Sequence, residues 1–113
     1  MFNSIDANSA IAKMKDGWSP MFVDVRSEIE WQQARISSAQ YLCPHDEILS
    51  AVSRIPKDKD ILVHCRSGMR SQLAIVQLIQ AGYDGNRMYR TLGNISYNNK
   101  VSLLFLDIEA PEK

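Results

Sequence analysis

Ile61-Leu62-Val63 is an apolar run with no polar residue alternating through it. A strand of that kind is buried on both faces, as inside a parallel sheet, whereas a half-solvated antiparallel strand alternates. The polar stretch Cys65-Arg66-Ser67-Gly68-Met69-Arg70-Ser71 follows at once. After it, Leu73, Ala74, Ile75, Val76, Leu78 and Ile79 carry helical spacing, which predicts a helix from about Ser71 to Gln80 or Ala81. Gly82 fits the left-handed position that ends such a helix. One strand–loop–helix unit thus commits the chain to the α/β class, with a mainly parallel sheet covered on both faces.

The remaining segments repeat the alternation. Ser4 or Asp6 caps a first helix, with Ala10, Ile11 and Met14 on its apolar face and its end near Gly17. Met21-Phe22-Val23 reads as a buried strand that delivers Asp24-Val25-Arg26 to its C-terminal end. Ser27 and Glu30 have the spacing of a capping box for a short helix through Trp31 to Ala34. Ala39 to Cys43 reads as a third strand stopped by Pro44. Ile48, Leu49 and Val52 recur at helical spacing within His45 to Arg54, and Met88 to Leu92 reads as a last strand. From Asn94 to Ile108 the apolar residues are too dense to choose between helix and strand; Val101 to Leu106 either closes the core or makes a dimer contact. The 113 residues are expected to form one domain, with a loose tail from Glu109 to Lys113.

Composition narrows the function classes. Thirteen basic and thirteen acidic residues cancel, so no overall field points to nucleic acid or an anionic membrane. The first residues lack the basic and apolar regions of a signal peptide, and no apolar run reaches the roughly 18 residues of a membrane span. Two cysteines are too few for a disulfide scaffold, and the expected setting is a reduced cytoplasm.

Cys65 falls where a strand ends and a helix begins. Backbone N–H groups converge in such a turn, and the helix dipole adds positive charge. With Arg66 and Arg70 in the same loop, these features favour a thiolate that can sit beside a bound anion. A packing cysteine gains nothing from two guanidinium groups, so the loop reads as a nucleophile in a cradle. Gly68 permits the tight backbone such a cradle needs.

His64-Cys65-Arg66-Ser67-Gly68-Met69-Arg70-Ser71 resembles the active-site loop of the rhodanese family, a cysteine followed by x-Ser-Gly-x-Arg-Ser. Asp24-Val25-Arg26 resembles the family's Asp-Val-Arg signature, and Ala81-Gly82-Tyr83-Asp84 also matches, so the likeness runs from about residue 4 to 97. The resemblance implies a three-layer rhodanese-like fold around a five-stranded sheet, and a sulfurtransferase. Cys65 would take the outer sulfur of a donor such as thiosulfate, become a persulfide, and pass the sulfur to a thiophilic acceptor. Loop N–H groups would stabilise the outer sulfur, Arg66 and Arg70 would hold an anionic donor, and Ser67, Gly68, Met69 and Ser71 would shape the binding loop. Asp24 and Arg26 would support it, Arg26 as an ion-pair partner of Glu28 or Glu30. No metal or cofactor is implied. Acceptors implied are cyanide or a thiol such as glutathione, and a sulfur-carrier or thioredoxin-like protein is a further candidate partner. Related phosphatases and arsenate reductases carry Cys-x5-Arg, whereas Cys65 to Arg70 is Cys-x4-Arg, a smaller cradle suited to sulfur. A second reading, from a different class, is a rhodanese-fold module that binds a protein partner with little turnover.

Two segments depart from the family. Ala34-Arg35-Ile36-Ser37-Ser38-Ala39 replaces the usual Gly-His-Ile-Pro-Gly-Ala, and Gly93-Asn94-Ile95-Ser96-Tyr97-Asn98 lacks the usual tryptophan. Cys43 is expected to pack, with a resolving role toward Cys65 as the alternative. Strand alternation turns His64 away from the nucleophile, as a structural histidine. Trp18, Trp31, Tyr83, Tyr89 and Tyr97 read as packing or rim residues.

Overall fold

The structure, a computed structural model, describes residues 1–33, 35–36, 39, 41–92 and 108–109. In chain order the elements are β1 (Asn3–Ile5), α1 (Ala7–Lys15), β2 (Met21–Asp24), α2 (Glu28–Gln33), β3 (Arg35–Ile36), β4 (Tyr41–Leu42), β5 (Ile61–His64), α3 (Met69–Gln80), β6 (Met88–Thr91) and β7 (Ile108–Glu109). Short 3-10 helices cover His45–Ala51 and Gly85–Arg87. Five strands form one sheet in the order β1-β6-β5-β2-β4, with every neighbouring pair parallel. The unbroken apolar run of β5 lies at its centre, as its composition demands, and β3 pairs with β7 antiparallel outside the sheet.

Strand alternation divides the core into two layers. Phe22 and Leu62 face Ala10 of α1, with Ile36 and Ala39 completing that cluster. Val23, Ile61 and Val63 face the other way, against Ala74, Ile75 and Leu78 of α3 and Ile48 and Ala51 of the 3-10 helix. Because Val63 and Cys65 share a face, the nucleophile candidate emerges on the α3 side. The Tyr83 hydroxyl donates to the carbonyls of Val52 (2.8 Å) and Ile55, tying the segment after the 3-10 helix to the end of α3. Gly82, at φ +102°, closes that helix.

Several elements differ from the sequence expectation. Strand β1 precedes α1 and takes an edge position; three residues at a half-exposed edge leave no periodic signal. The expected third strand contracts to Tyr41–Leu42, although the Cys43 N–H still donates to the Asp24 carbonyl at 2.9 Å. The segment from His45 coils as a 3-10 helix, so Ile48 and Ala51, three apart, turn inward while Leu49 and Val52 face solvent. Helix α3 begins at Met69, two residues before the expected start. Glu109, expected in a loose tail, pairs with Arg35 in β7. The departing segment from Gly93 to Asn98, the run Val101 to Leu106 and residues 110–113 lie outside the described residues.

Candidate active site

Two strand ends, adjacent in the sheet, build the site. Strands β2 and β5 run side by side with Asp24 opposite His64, so the residues after each emerge together at the C-terminal edge. Ligands of open parallel sheets sit there because loops and helix N-termini converge on that edge.

After β2, Asp24 and Arg26 fold back on each other. The Arg26 backbone N–H donates to Asp24 Oδ1 at 2.9 Å, and its Nη2 reaches Oδ2 at 2.8 Å. With side chains only 3% and 0% exposed, this is a buried pair, and Arg26 meets Asp24 instead of the expected Glu28 or Glu30. The next residues form the anticipated capping box: Ser27 N–H donates to Glu30 Oε1 (3.1 Å), and Glu30 N–H donates to Ser27 Oγ (3.2 Å).

After β5 the loop turns tightly around the sulfur of Cys65, which is buried. Gly68 N–H donates to Cys65 Sγ at 3.0 Å and Ser71 N–H at 3.3 Å. The thiol lies 3.5 Å from Ser71 Oγ, and that hydroxyl donates to the Gly68 carbonyl at 3.0 Å. Gly68 makes the turn by adopting φ +93° as the N-cap of α3, a conformation that disfavours any side chain. A sulfur held by two backbone N–H groups at a helix start is complemented as an anion, by donors that need no reorganisation.

The arginines of the loop are not equivalent. Arg70 grips Glu30 with both ends of its fork, Nη1 on Oε1 and Nη2 on Oε2 at 2.9 Å. This pair holds the Glu30 carboxyl down to about pH 2, chiefly through the Arg70 hydrogen bonds, and pushes the Arg70 guanidinium up. Arg66 is exposed and has no hydrogen bond or ion pair among the described residues. Met69 is exposed beside it, and Ser67 lies in the same turn. The Glu30 contact was not anticipated; its trace in the sequence is the capping box, which fixes Glu30 one strand over from the loop.

Other candidates take supporting places. Buried His64 points away from the sulfur, with Nδ1 3.3 Å from Thr91 Oγ1 and its ring edge-on to Phe22. Burial pushes its imidazole down to about 4, so it is neutral at pH 7. Cys43 is buried in the same apolar cluster as Cys65, and both cysteines are free. Burial, then the charge of Glu47, pushes the Cys43 thiol up. Trp18 packs edge-on against Tyr89, with Lys13 over both rings. Beside the capping box a hollow of about 630 Å³ is lined by Ser27, Glu28, Ile29, Pro44, Asp46 and Glu47, among others. Among the described residues no group of three or more His, Cys, Asp or Glu could hold a metal ion, and no helix is long and apolar enough to cross a membrane.

A parallel α/β sheet presenting a cysteine inside a Cys-x4-Arg loop defines a class of small cysteine-centred domains. Residues 6–104 match the rhodanese-like domain, and the chain belongs to that family. It is 40% identical over 83 residues to a sulfurtransferase of Allochromatium vinosum, an overlap covering 74% of this chain and 77% of the relative. It is also 33% identical over 63 residues to the probable adenylyltransferase/sulfurtransferase MoeZ of Mycobacterium tuberculosis, covering 54% of this chain and 16% of that much longer protein. Among solved structures, the rhodanese-like domain protein of Staphylococcus aureus superposes with a TM-score of 0.75 at 21% identity, covering 98% of this chain and 100% of that one. That last likeness concerns the fold.

Proposed function

We propose that this protein is a sulfurtransferase that carries sulfane sulfur on Cys65, from a donor of the thiosulfate or persulfide type to cyanide or a thiol. The supporting observation is the cradle itself: Gly68 and Ser71 N–H groups directed at one buried sulfur at the head of α3. The similarity to the Allochromatium sulfurtransferase supports the same reading.

In the first half-reaction the Cys65 thiolate attacks the outer sulfur of the donor. The Cys65–S bond forms as the donor's S–S bond breaks, and the leaving group departs with the electron pair: sulfite from thiosulfate, a thiolate from an organic persulfide. In the second, cyanide or a thiolate attacks the outer sulfur and Cys65 returns to thiolate. No general base is required once the thiolate is present, which suits a His64 that points away and a Cys-x4-Arg loop too short for the tetrahedral oxyanion of the Cys-x5-Arg phosphatases. A free reactive thiol suits the reduced cytoplasm proposed for the protein.

The test is intact-protein mass after exposure to thiosulfate and, separately, to a small organic persulfide, comparing wild type with Cys65→Ser. The expected result is a gain of one sulfur on wild type only, removed by cyanide. No gain from either donor would reject the enzymatic reading in favour of a partner-binding module.

A further inference from the structure

We propose that Glu30 sets the charge of the accepted donor, so that the site favours a low-charge persulfide borne on a thiol over inorganic or organic dianions. This rests on the sulfurtransferase reading above and names the substrate class for the same cysteine.

Of the two loop guanidinium groups, only Arg66 is open. Arg70 is already neutralised by a bidentate carboxylate, and that carboxylate is pinned by Ser27 through the capping box. Displacing it would break two charge-assisted hydrogen bonds, which a donor passing through the site must match. Arg90, whose Cδ lies 3.8 Å from where a Cβ on Gly68 would sit, is also engaged. Its fork donates to Gln72 Oε1 at 2.6 Å and Ser4 Oγ at 3.3 Å, and its guanidinium stacks over Phe2.

The surroundings on the capping-box side are acidic. Glu28, Asp46 and Glu47 line the hollow there, and none of them forms an ion pair among the described residues. Exposed Ile29 and Met69 add apolar surface. At the cysteine loop a dianion therefore finds one open arginine and one whose charge Glu30 already matches, whereas a persulfide on a neutral or cationic carrier needs no such countercharge.

The donor step conserves atoms and charge. The Cys65 thiolate attacks the outer sulfur of R–S–SH, the R–S bond to that sulfur breaks, and R–S⁻ leaves with the electron pair while the proton stays on the new Cys65 persulfide. No external oxidant or reductant is needed.

Two persulfides of the same chemistry separate charge from intrinsic reactivity: in the reacting R–S–SH form cysteamine persulfide, with an ammonium and no carboxylate, is net-cationic, and glutathione persulfide, with two carboxylates, is net-anionic. Time-resolved intact mass at low ionic strength would follow loading of wild type and Glu30→Gln, with thiosulfate as a third donor. Glutamine preserves the hydrogen-bonding pattern of the box and removes the charge. The expected result is that wild type loads from cysteamine persulfide about fivefold faster than from glutathione persulfide, the size one charge gives at a water-exposed rim. In Glu30→Gln that ratio falls to about two, and thiosulfate gains relative to cysteamine persulfide. Added salt compresses the wild-type ratio.

Equal or faster wild-type loading from glutathione persulfide would overturn the proposal while leaving sulfur transfer intact. So would a Glu30→Gln variant that slows all three donors by one factor, since that marks Glu30 as a loop support only. No loading from any donor would fell both readings together.

Discussion

The loops after β2 and β5 use the same vocabulary, a buried strand followed by polar residues, an arginine and a helix, and they put it to opposite ends. After β2, Arg26 and Asp24 are 3% and 0% exposed and satisfy each other within three residues of chain. After β5, Arg70 and Glu30 are each 29% exposed and reach across from the start of α3 to α2. The first pair is sealed into the protein, where it fixes a turn; the second stands beside the sulfur, within reach of solvent. An arginine next to a strand end is therefore no evidence of substrate binding until its burial and its partner are known.

The largest effect should come from breaking the sealed pair. Asp24→Asn removes the carboxylate that Arg26 holds in the buried turn and is expected to cost about 3–5 kcal/mol. Glu30→Gln, at the half-buried pair, keeps the capping box and should cost less, about 1–2 kcal/mol. Urea unfolding of the two variants checks this, and similar losses would collapse the distinction between the loops. His64, in register with Asp24 at the seam between them, gives the next effect. Its folded imidazole protonates near 4 while the unfolded chain protonates near 6.5, so the unfolded state binds more protons between those values. Stability is then full above about pH 6.5 and declines as pH falls toward 4, by about 3 kcal/mol at most. Unfolding curves across that range should show this slope in wild type and a shallower one in His64→Gln. A further effect, below that at Asp24, is at Gly68, where alanine must hold φ +93° and place its Cβ 3.3 Å from the Thr91 carbonyl oxygen. We expect a loss of about 1–3 kcal/mol, with slower sulfur loading because the Gly68 N–H shifts from Cys65 Sγ. Unchanged loading would mean that this N–H is dispensable.

Where a physical constraint acts within a few residues, the chain could be read directly. The apolar run of β5, the Ser27–Glu30 box and the positive φ at Gly82 each leave a local signature, and the Cys65 loop falls between two elements whose identities were plain. The α/β class, the parallel sheet and the position of the cysteine followed from these. Less legible features depend on partners remote in the chain. Strand β1 is a strand only because β6 lies beside it, and the segment at Ile48 coils as a 3-10 helix because Ala51, three residues on, finds the face of α3. The Arg70–Glu30 contact spans 40 positions, so nothing in the spacing of either residue announces it. Arg26 was expected to pair with Glu28 or Glu30, and it is the turn after β2 that brings Asp24 to it instead.

Strand order also has a consequence in time. Ser4 aligns with Arg90, a separation of 86 positions, so β1 has no strand beside it until nearly all of the described chain has been synthesised. On a ribosome the central pairing of β2 with β5 can form first, and the N-terminal edge must wait for β6. The cysteine cradle therefore belongs to the part of the molecule that is able to assemble early, and the strand at the start of the chain joins the sheet late.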